Sequence, residues 1–460
     1  MKYFLLIFIT LLFAANSTHS QSKIDASKLD KMFDVLESNN RMMGSVTVRQ
    51  NGKIIYKRIL GYRKIDGKKK IRNDAETLFR IGSITKVFTA VMIFQLIEEG
   101  KLSLDTKLSE FFPEISNADK ISVEQLLSHR SGLANYPQNV DYSDPQAWIY
   151  QPQTQKQIIA RLIDSKPVFA PGEKRQYSNT NFVLLGYIIE ILTKSGYAAQ
   201  LNKRIIKKLG LKNTRFGAKI DGSKDEAFSY NYRDSLWEPV LEQDMSVAVG
   251  AGGIVSTTDD LTKFLDALFK NKLLKSGTLK EMLTPPDNFS DHTKAFGRAI
   301  IFDTGKKGYS HDGGIDAFSS LFVYVKEDDL AFAITINGNN YPINRIFWNV
   351  LKVYYNQPFT VPSFKAVKLS DEMLSKYEGT FNLKQSGMKI TIIKDKDGLL
   401  GEVSKDDFFH LTPTGNNAFF HEPSGIIIEF RENPDGSIPS FTMYQGRGVS
   451  VWEKDYLQKK

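Results

Sequence analysis

Phe79-Arg80-Ile81-Gly82-Ser83-Ile84-Thr85-Lys86-Val87-Phe88-Thr89-Ala90 sets a serine at the start of an apolar helical run and a lysine three residues on. Residues three apart share one helix face, so the Lys86 amine can reach the Ser83 hydroxyl. A serine hydroxyl is a weak nucleophile until a neighbouring base takes its proton. A lysine becomes that base when an apolar wall or a nearby cation lowers its pKa. The unpaired N–H groups and the dipole of a helix start can also hold an oxyanion. The bare pattern is common: Ser-x-x-Lys recurs at Ser20/Lys23 and Ser386/Lys389, where the flanks suggest no chemistry. Taken alone, Ser83 also reads as an N-cap with a solvated lysine one turn on. The context decides.

On the N-terminal side, residues 23–40 carry Leu29, Met32, Phe33 and Leu36 at helical spacing and predict an amphipathic helix. Residues 45–56 follow as two runs rich in β-branched side chains around Asn51-Gly52, a strong hairpin signal. On the C-terminal side, the helix carrying Lys86 presents Met92, Ile93, Leu96 and Ile97 before Gly100, which suits its C-terminal cap. Residues 121–133 predict a short helix closing on Ser131-Gly132, with His129 tying down the turn. Residues 134–176 are polar, aromatic and loop-like, and are expected to wall a cleft. A second apolar helix is expected over 182–192. Gly250-Ala251-Gly252-Gly253 predicts a tight turn, with residues 256–259 capping the helix after it; the spacing fits no dinucleotide or P-loop fingerprint. Phe318–Val325 and residues 331–336 read as strands around a charged turn, and 342–355 as a closing helix.

The strand-rich ends of this unit can pair in one sheet while its middle supplies helices. The expected fold class is α/β (α+β): an antiparallel sheet flanked by helices, with an all-helical lobe. It should occupy residues 21–357, followed by a linker at 358–368. Beyond lie short alternating strands at 388–393, Ala418–His421 and 426–430, broken by Lys-Asp-Gly, Pro-Ser-Gly and Pro-Asp-Gly turns. These predict a separate small all-β, barrel-like domain over 369–460.

At 460 residues the chain has room for both units, and its apolar and charged fractions, 41% and 25%, are those of an ordinary globular protein. Lys2 precedes a mostly apolar run at residues 3–15, too short to span a bilayer comfortably. Small and polar residues follow it, so 1–20 is expected to be a signal peptide cut near Ser20/Gln21, and the protein periplasmic or secreted. The net charge of +9 becomes +8 without those 20 residues, whose one acidic or basic side chain is Lys2. That mild basic balance suits acidic surfaces such as cell-wall polymers and equally serves general solubility; no nucleic-acid partner is expected. There is no cysteine, hence no disulfide and no lipid-modified N-terminal cysteine.

Two further segments stand with Ser83-x-x-Lys86 in order and spacing: Tyr177-Ser178-Asn179 and His311-Asp312-Gly313. With Leu126-Leu127-Ser128-His129-Arg130-Ser131-Gly132-Leu133, Pro171-Gly172 and Gly252-Gly253-Ile254-Val255-Ser256, they resemble the serine β-lactamase and penicillin-binding protein superfamily. The likeness is to class C β-lactamases, serine DD-peptidases and related esterases, over about residues 25–355. The C-terminal unit resembles the lipocalin-like module often appended to members. The resemblance implies that Ser83 attacks a carbonyl to form an acyl-enzyme, with Lys86 and Tyr177 sharing the proton work; which of them is the base stays open. It implies that Asn179 bonds a substrate amide or orients Lys86, and that the amides of Ser83 and Gly314 form the oxyanion hole. Gly313 and Gly314 would allow substrate close to a strand edge. It implies no metal and no organic cofactor.

The informative departure is His311, where most β-lactamases of the superfamily carry lysine. A histidine is charged only in part near neutral pH, so weaker carboxylate recognition and less β-lactamase activity are expected. The leading expectation is an exported serine hydrolase acting on D-amino-acid peptides, peptidoglycan-type peptides or small esters. A class C-type β-lactamase and a non-catalytic penicillin-binding or sensor domain are the alternatives. The complete set of Ser83, Lys86 and Tyr177 argues against the last.

Overall fold

In the computed structural model the described residues are 24–286, 292–301, 305–384, 386–404, 407–415 and 417–456. The expected signal peptide, 1–20, and the Ser20/Lys23 pair lie outside them. The elements that position the site are α1 (Ala26–Ser38), β1 (Met42–Gln50), β2 (Lys53–Leu60), α2 (Thr85–Glu98), α3 (Asn179–Thr193), α4 (Thr258–Phe269), β3 (Arg298–Ile301), β4 (Lys307–Ile315), β5 (Phe318–Val325), β6 (Leu330–Asn339) and α5 (Ile343–Tyr354).

The main sheet runs β3-β4-β5-β6-β1-β2, antiparallel along this path. Its centre joins the two ends of the unit, with Val46 opposite Ile334 and Thr47 opposite Ala333. The β1–β2 turn is the Asn-Gly turn of the sequence, with φ of 50° at Asn51 and 77° at Gly52, both in the left-handed region such a turn requires. Alternation along β5 and β6 separates two cores. Leu321, Val323, Phe332, Ile334 and Ile336 face α1 and α5, whose Leu29, Met32, Phe33, Ile346 and Val350 cover them. Phe322, Tyr324, Ala331 and Ala333 face α4 and the helical lobe.

In α2 every residue from Thr85 to Leu96 is buried, and in α3 every residue from Thr180 to Ile189. A helix apolar on all sides belongs in a core, and these two form the centre of the lobe. Thr89 Oγ1, buried in α2, donates to the Gly250 carbonyl at 2.7 Å. α3 meets that turn closely, and a Cβ on Gly250, at φ +71°, would stand 2.3 Å from the Phe182 carbonyl oxygen.

Three segments differ from expectation. The helix expected over 121–133 is only Val123–Leu127, because His129 and Gly132 take φ of 59° and 75° and turn the chain away. The expected loop 134–176 contains a helix, Gln155–Ile163, with a Thr154/Gln157 capping box; it buries only Ile158 and Leu162, too few to mark a periodicity. α3 begins at Asn179 rather than at residue 182, which places Asn179 on its first turn.

Eight strands from Gly379 to Lys454 close into a barrel filled by Phe381, Phe419, Phe430, Phe441 and Trp452. Ser386 and Lys389 serve its surface: the Ser386 hydroxyl accepts the Met388 amide and Lys389 pairs with Asp455. The barrel is clamped to the body by Arg41, whose guanidinium makes two 2.6 Å bonds to Glu422 and lies 4.5 Å and 4.7 Å from the Phe364 and Phe420 rings.

Replacing Gly250 by alanine should destabilise the protein by about 2–4 kcal/mol, from backbone strain plus the clash with Phe182. A denaturant titration of the variant checks this; a loss below about 0.5 kcal/mol, the size of an ordinary surface change, would mean the turn relaxes freely.

Candidate active site

The serine turn is assembled from backbone. Residues 82–84 form one tight turn leading into α2, and Lys86 is the second residue of that helix. Phe79 and Arg80 pair with Ser256 and Val255, and the Ile81 amide donates to the Ile254 carbonyl at 3.0 Å. On the other side the turn abuts the end of β4. A Cβ on Gly82, at φ +50°, would lie 2.6 Å from the Gly314 nitrogen, and one on Gly313 would lie 2.1 Å from the Ile81 oxygen and 3.0 Å from the Ser83 nitrogen. Only glycines permit this approach, which brings the amide segments of Ser83 and Gly314 side by side. β3 pairs with β4 no further than Ser310, so residues 311–315 present an edge that β3 does not cover.

Around Ser83 Oγ the expected groups converge. Lys86 Nζ is 3.0 Å away and the Tyr177 hydroxyl donates to it at 2.6 Å. Lys86 also reaches Asn179 Oδ1 and the Ala251 carbonyl, each at 2.7 Å. Asn179 Nδ2 donates to the Tyr136 carbonyl at 3.1 Å, which fixes the amide with its oxygen toward Lys86. Of the two roles the sequence left open for Asn179, the geometry therefore fills that of orienting Lys86. Ala251, on the glycine turn, was not foreseen; a backbone carbonyl leaves no residue-type signal.

Burial depresses the Lys86 pKa well below that of a free lysine, with a smaller depression from Arg447 opposed by Asp312. Only 1% of the residue is exposed. A neutral amine has two N–H groups and one lone pair. Asn179 Oδ1 and the Ala251 carbonyl only accept, so they take the two hydrogens and the lone pair is left for the Ser83 hydroxyl. Burial raises the Tyr177 phenol, against a smaller lowering by its bond to Ser83, so it stays protonated and donates. With the amine neutral, the arrangement allows Lys86 to accept the Ser83 proton and Tyr177 to donate one.

His129 holds the Tyr177 segment in place. Its Nδ1 accepts the Ser178 amide at 3.2 Å, its carbonyl accepts the Gln176 amide at 3.0 Å, and its ring lies 4.6 Å from the Tyr177 ring. Burial holds it well below the usual histidine range, so it is neutral. This is the turn-fixing role its sequence position suggests. Arg80, inside the opening motif, plays a similar part unforeseen: fully buried, it bonds Asp316 at 2.9 Å and Glu242 at 2.6 Å, tying the turn after β4 to the loop before Met245.

His311 corrects one expectation. Its Nδ1 donates to the Asp312 carbonyl at 2.7 Å, and burial pulls the imidazole down to about 4, with Asp312 opposing the fall and Arg447 adding to it. It is neutral at pH 7 rather than partly charged. The cation of this wall comes from elsewhere: Arg447, on a turn of the barrel, bonds Asp312 Oδ2 through Nη1 at 2.9 Å. A cleft of about 710 Å³ between body and barrel is lined by Tyr177, His311, Asp312, Trp348 and Arg447. A recess of about 160 Å³ is lined by Ser83, Tyr136, Asn179, Val247, Gly314 and Ile315. Among the described residues no cluster of three or more His, Cys, Asp or Glu side chains is arranged to hold a metal ion.

A sheet with a helical lobe, and a serine held between a buried amine and a phenol, define a serine hydrolase. The sequence model of the beta-lactamase family matches residues 30–351, and the chain belongs to that family, within the serine β-lactamase and penicillin-binding protein superfamily. It is 29% identical over 360 residues to the teichoic acid D-alanine hydrolase of Staphylococcus aureus strain MRSA252, covering 77% of this chain and 78% of that one. Among solved structures it is similar to D-amino acid amidase from Ochrobactrum anthropi SV3, with a TM-score of 0.61 and 25% identity over 72% of this chain and 99% of that one. The octameric penicillin-binding protein homologue from Pyrococcus abyssi matches with a TM-score of 0.65 and 22% identity, over 93% and 100% of the two chains, and shows the fold through the barrel.

With Lys86 as the base, kcat/KM for an activated ester should rise with pH as the ammonium loses its proton, through a midpoint below the free-lysine value of about 10.4. Tyr177→Phe should lower kcat by about 100-fold while keeping that acid limb, because general acid–base groups contribute about that much. A pH–rate series on both proteins checks this; loss of the limb in Tyr177→Phe would assign the titration to the phenol.

Proposed function

We propose that this chain is an exported hydrolase of small D-aminoacyl esters or amides, acting through a Ser83 acyl-enzyme and closer to the DD-peptidase and esterase branch than to the β-lactamases. One observation carries the reading: Ser83 Oγ sits between Lys86 and Tyr177 at the mouth of a recess of about 160 Å³. That is well below the ~300–1,000 Å³ of pockets enclosing drug-sized ligands, and it suits one small acyl group. The D configuration is supported by the relatives, whose names give a D-alanine hydrolase and a D-amino acid amidase. Export rests on the apolar run near the N-terminus. A neutral His311 in place of a lysine disfavours efficient β-lactam hydrolysis.

The chemistry balances within the site. Ser83 Oγ bonds the substrate carbonyl carbon as its proton passes to Lys86, and the amides of Ser83 and Gly314 receive the oxyanion. The carbon–leaving-group bond breaks as the leaving atom takes the Tyr177 proton. Lys86 has gained one proton and Tyr177 has lost one, so the pair keeps its count and resets by one internal transfer. Water then cleaves the acyl ester, releasing the acid and restoring the Ser83 hydroxyl.

Intact mass spectrometry tests the reading with an activated D-alanyl ester, its L-isomer and a penicillin, on wild type and Ser83→Ala. The expected result is a mass gain on wild type alone, and consumption of the D-ester at least about tenfold faster than the L-ester. Equal consumption by Ser83→Ala, or none of any reagent, would overturn it.

A further inference from the structure

With His311 neutral, the exposed edge of β4 has no cation of its own, and the barrel supplies one. Its last two strands, Ser440–Gln445 and Gly448–Lys454, pair Gln445 with Gly448 across a two-residue turn. Gly446 takes φ +53° there and Arg447 projects from the tip. The turn is pinned to the start of α5: the Ile343 amide donates to the Gly446 carbonyl at 3.2 Å and Asn344 Nδ2 to the Arg447 carbonyl at 2.5 Å. The guanidinium bonds Asp312 and lies flat against Gly314, where a Cβ would stand 2.7 Å from Nη2. The glycine at 314 thus admits the arginine, as Gly82 and Gly313 admit the serine turn.

This position has three consequences. Arg447 carries five N–H donors, and among the described residues only Nη1 has a partner, so Nη2 and Nε are left to point at something else. Its side chain is 42% exposed, toward the large cleft. That cleft is also lined by Arg175 and Lys294, with Asp312 the sole carboxylate among its described lining residues. Among these described lining residues Arg175, Lys294 and Arg447 stand against one carboxylate, with Lys294 paired to Glu281 outside the lining. Tyr177, the proton donor to the leaving group, opens on the same cleft, whereas Gly314, Asn179 and Ser83 line the recess. The acyl part therefore takes the recess, and the leaving group departs through the cleft past Arg447.

We propose that Arg447, contributed by the C-terminal barrel, is a specificity-determining residue that binds an anionic oxygen group, carboxylate or phosphate, on the leaving group. The inference rests on the acyl-enzyme reading above and deepens it: substrates with a charged leaving group are preferred over simple amides and neutral esters. Arginine matches both anions because its planar fork gives two parallel donors to two oxygens. Asp312 holds the guanidinium at one side and leaves the other side of the fork open.

Two matched substrate pairs test it: D-alanyl-D-alanine against D-alanyl-D-alaninamide, and D-alanyl glycerol 3-phosphate against D-alanyl glycerol. The readout is the ratio of kcat/KM for the charged over the neutral member. Arg447→Ala should lower that ratio by about 10- to 100-fold, the scale of a hydrogen bond to a charged group. Arg447→Lys should keep part of it, and Arg447→Glu should fall below the alanine variant. The pair that carries the drop identifies carboxylate or phosphate as the anion. A ratio unmoved across all three variants, with wild type turning over through Ser83, overturns the inference and leaves the hydrolase reading intact. If wild type turns over none of the four, the hydrolase reading fails instead. Calorimetric titration of glycerol 3-phosphate and of D-alanyl-D-alanine into Ser83→Ala then decides the role of Arg447 separately. Binding that disappears in Ser83→Ala/Arg447→Ala sustains it; equal binding in both, or none in either, refutes it. Thermal unfolding of each variant separates these results from misfolding.

Discussion

The amine of Lys86 is the constraint on which the rest of the site depends. A lysine removed from water cannot keep its proton cheaply unless a carboxylate stands beside it. Here its near neighbours are a hydroxyl, an amide oxygen and a backbone carbonyl, none of them charged, and burial draws its pKa down toward the neutral base. Each neighbour is fixed by a different part of the fold. Ser83 is placed by the turn before α2, Asn179 by the first turn of α3, and Ala251 by the glycine turn that α3 packs against. Two helices buried on all sides are what make those placements rigid.

Close backbone approach does the second part of the work. The serine turn and the end of β4 touch through Gly82, Gly313 and Gly314, at separations no side chain would permit. The same approach leaves a strand edge beside the nucleophile and space for a guanidinium over Gly314. The barrel turn, itself pinned to α5, uses that space. The cleft is thereby a joint product of two units, with its basic wall built from both.

Much of the fold was legible because its signals are local. The Asn51-Gly52 hairpin, α1, α5 and the strands β5 and β6 follow from periodicities of two or 3.6 and from turn residues with obligatory positive φ. Elements with few buried positions were not legible: Gln155–Ile163 sinks only two side chains, and the helix before His129 is cut short by a non-glycine residue at positive φ, an uncommon conformation that no local pattern announces. At the site, Ser83, Lys86, Tyr177, Asn179, His311, Gly313 and Gly314 carry motif signals. Arg80 sits in the opening motif itself, yet its partners Glu242 and Asp316 lie far along the chain. A salt bridge between distant segments has no sequence period.

By itself the sequence determined the order of elements, the family likeness and the residue types capable of acyl transfer. These depend on side-chain chemistry and spacing within a few residues. The tertiary structure alone decided their protonation states and the electrostatics of the cleft. Burial, not identity, lowers the Lys86 pKa, keeps the Tyr177 phenol protonated and renders His311 neutral. Only chain folding over hundreds of residues carries Arg447 to the edge where histidine leaves the charge unfilled. Desolvation and long-range proximity are properties of the packed molecule, and no stretch of sequence contains them.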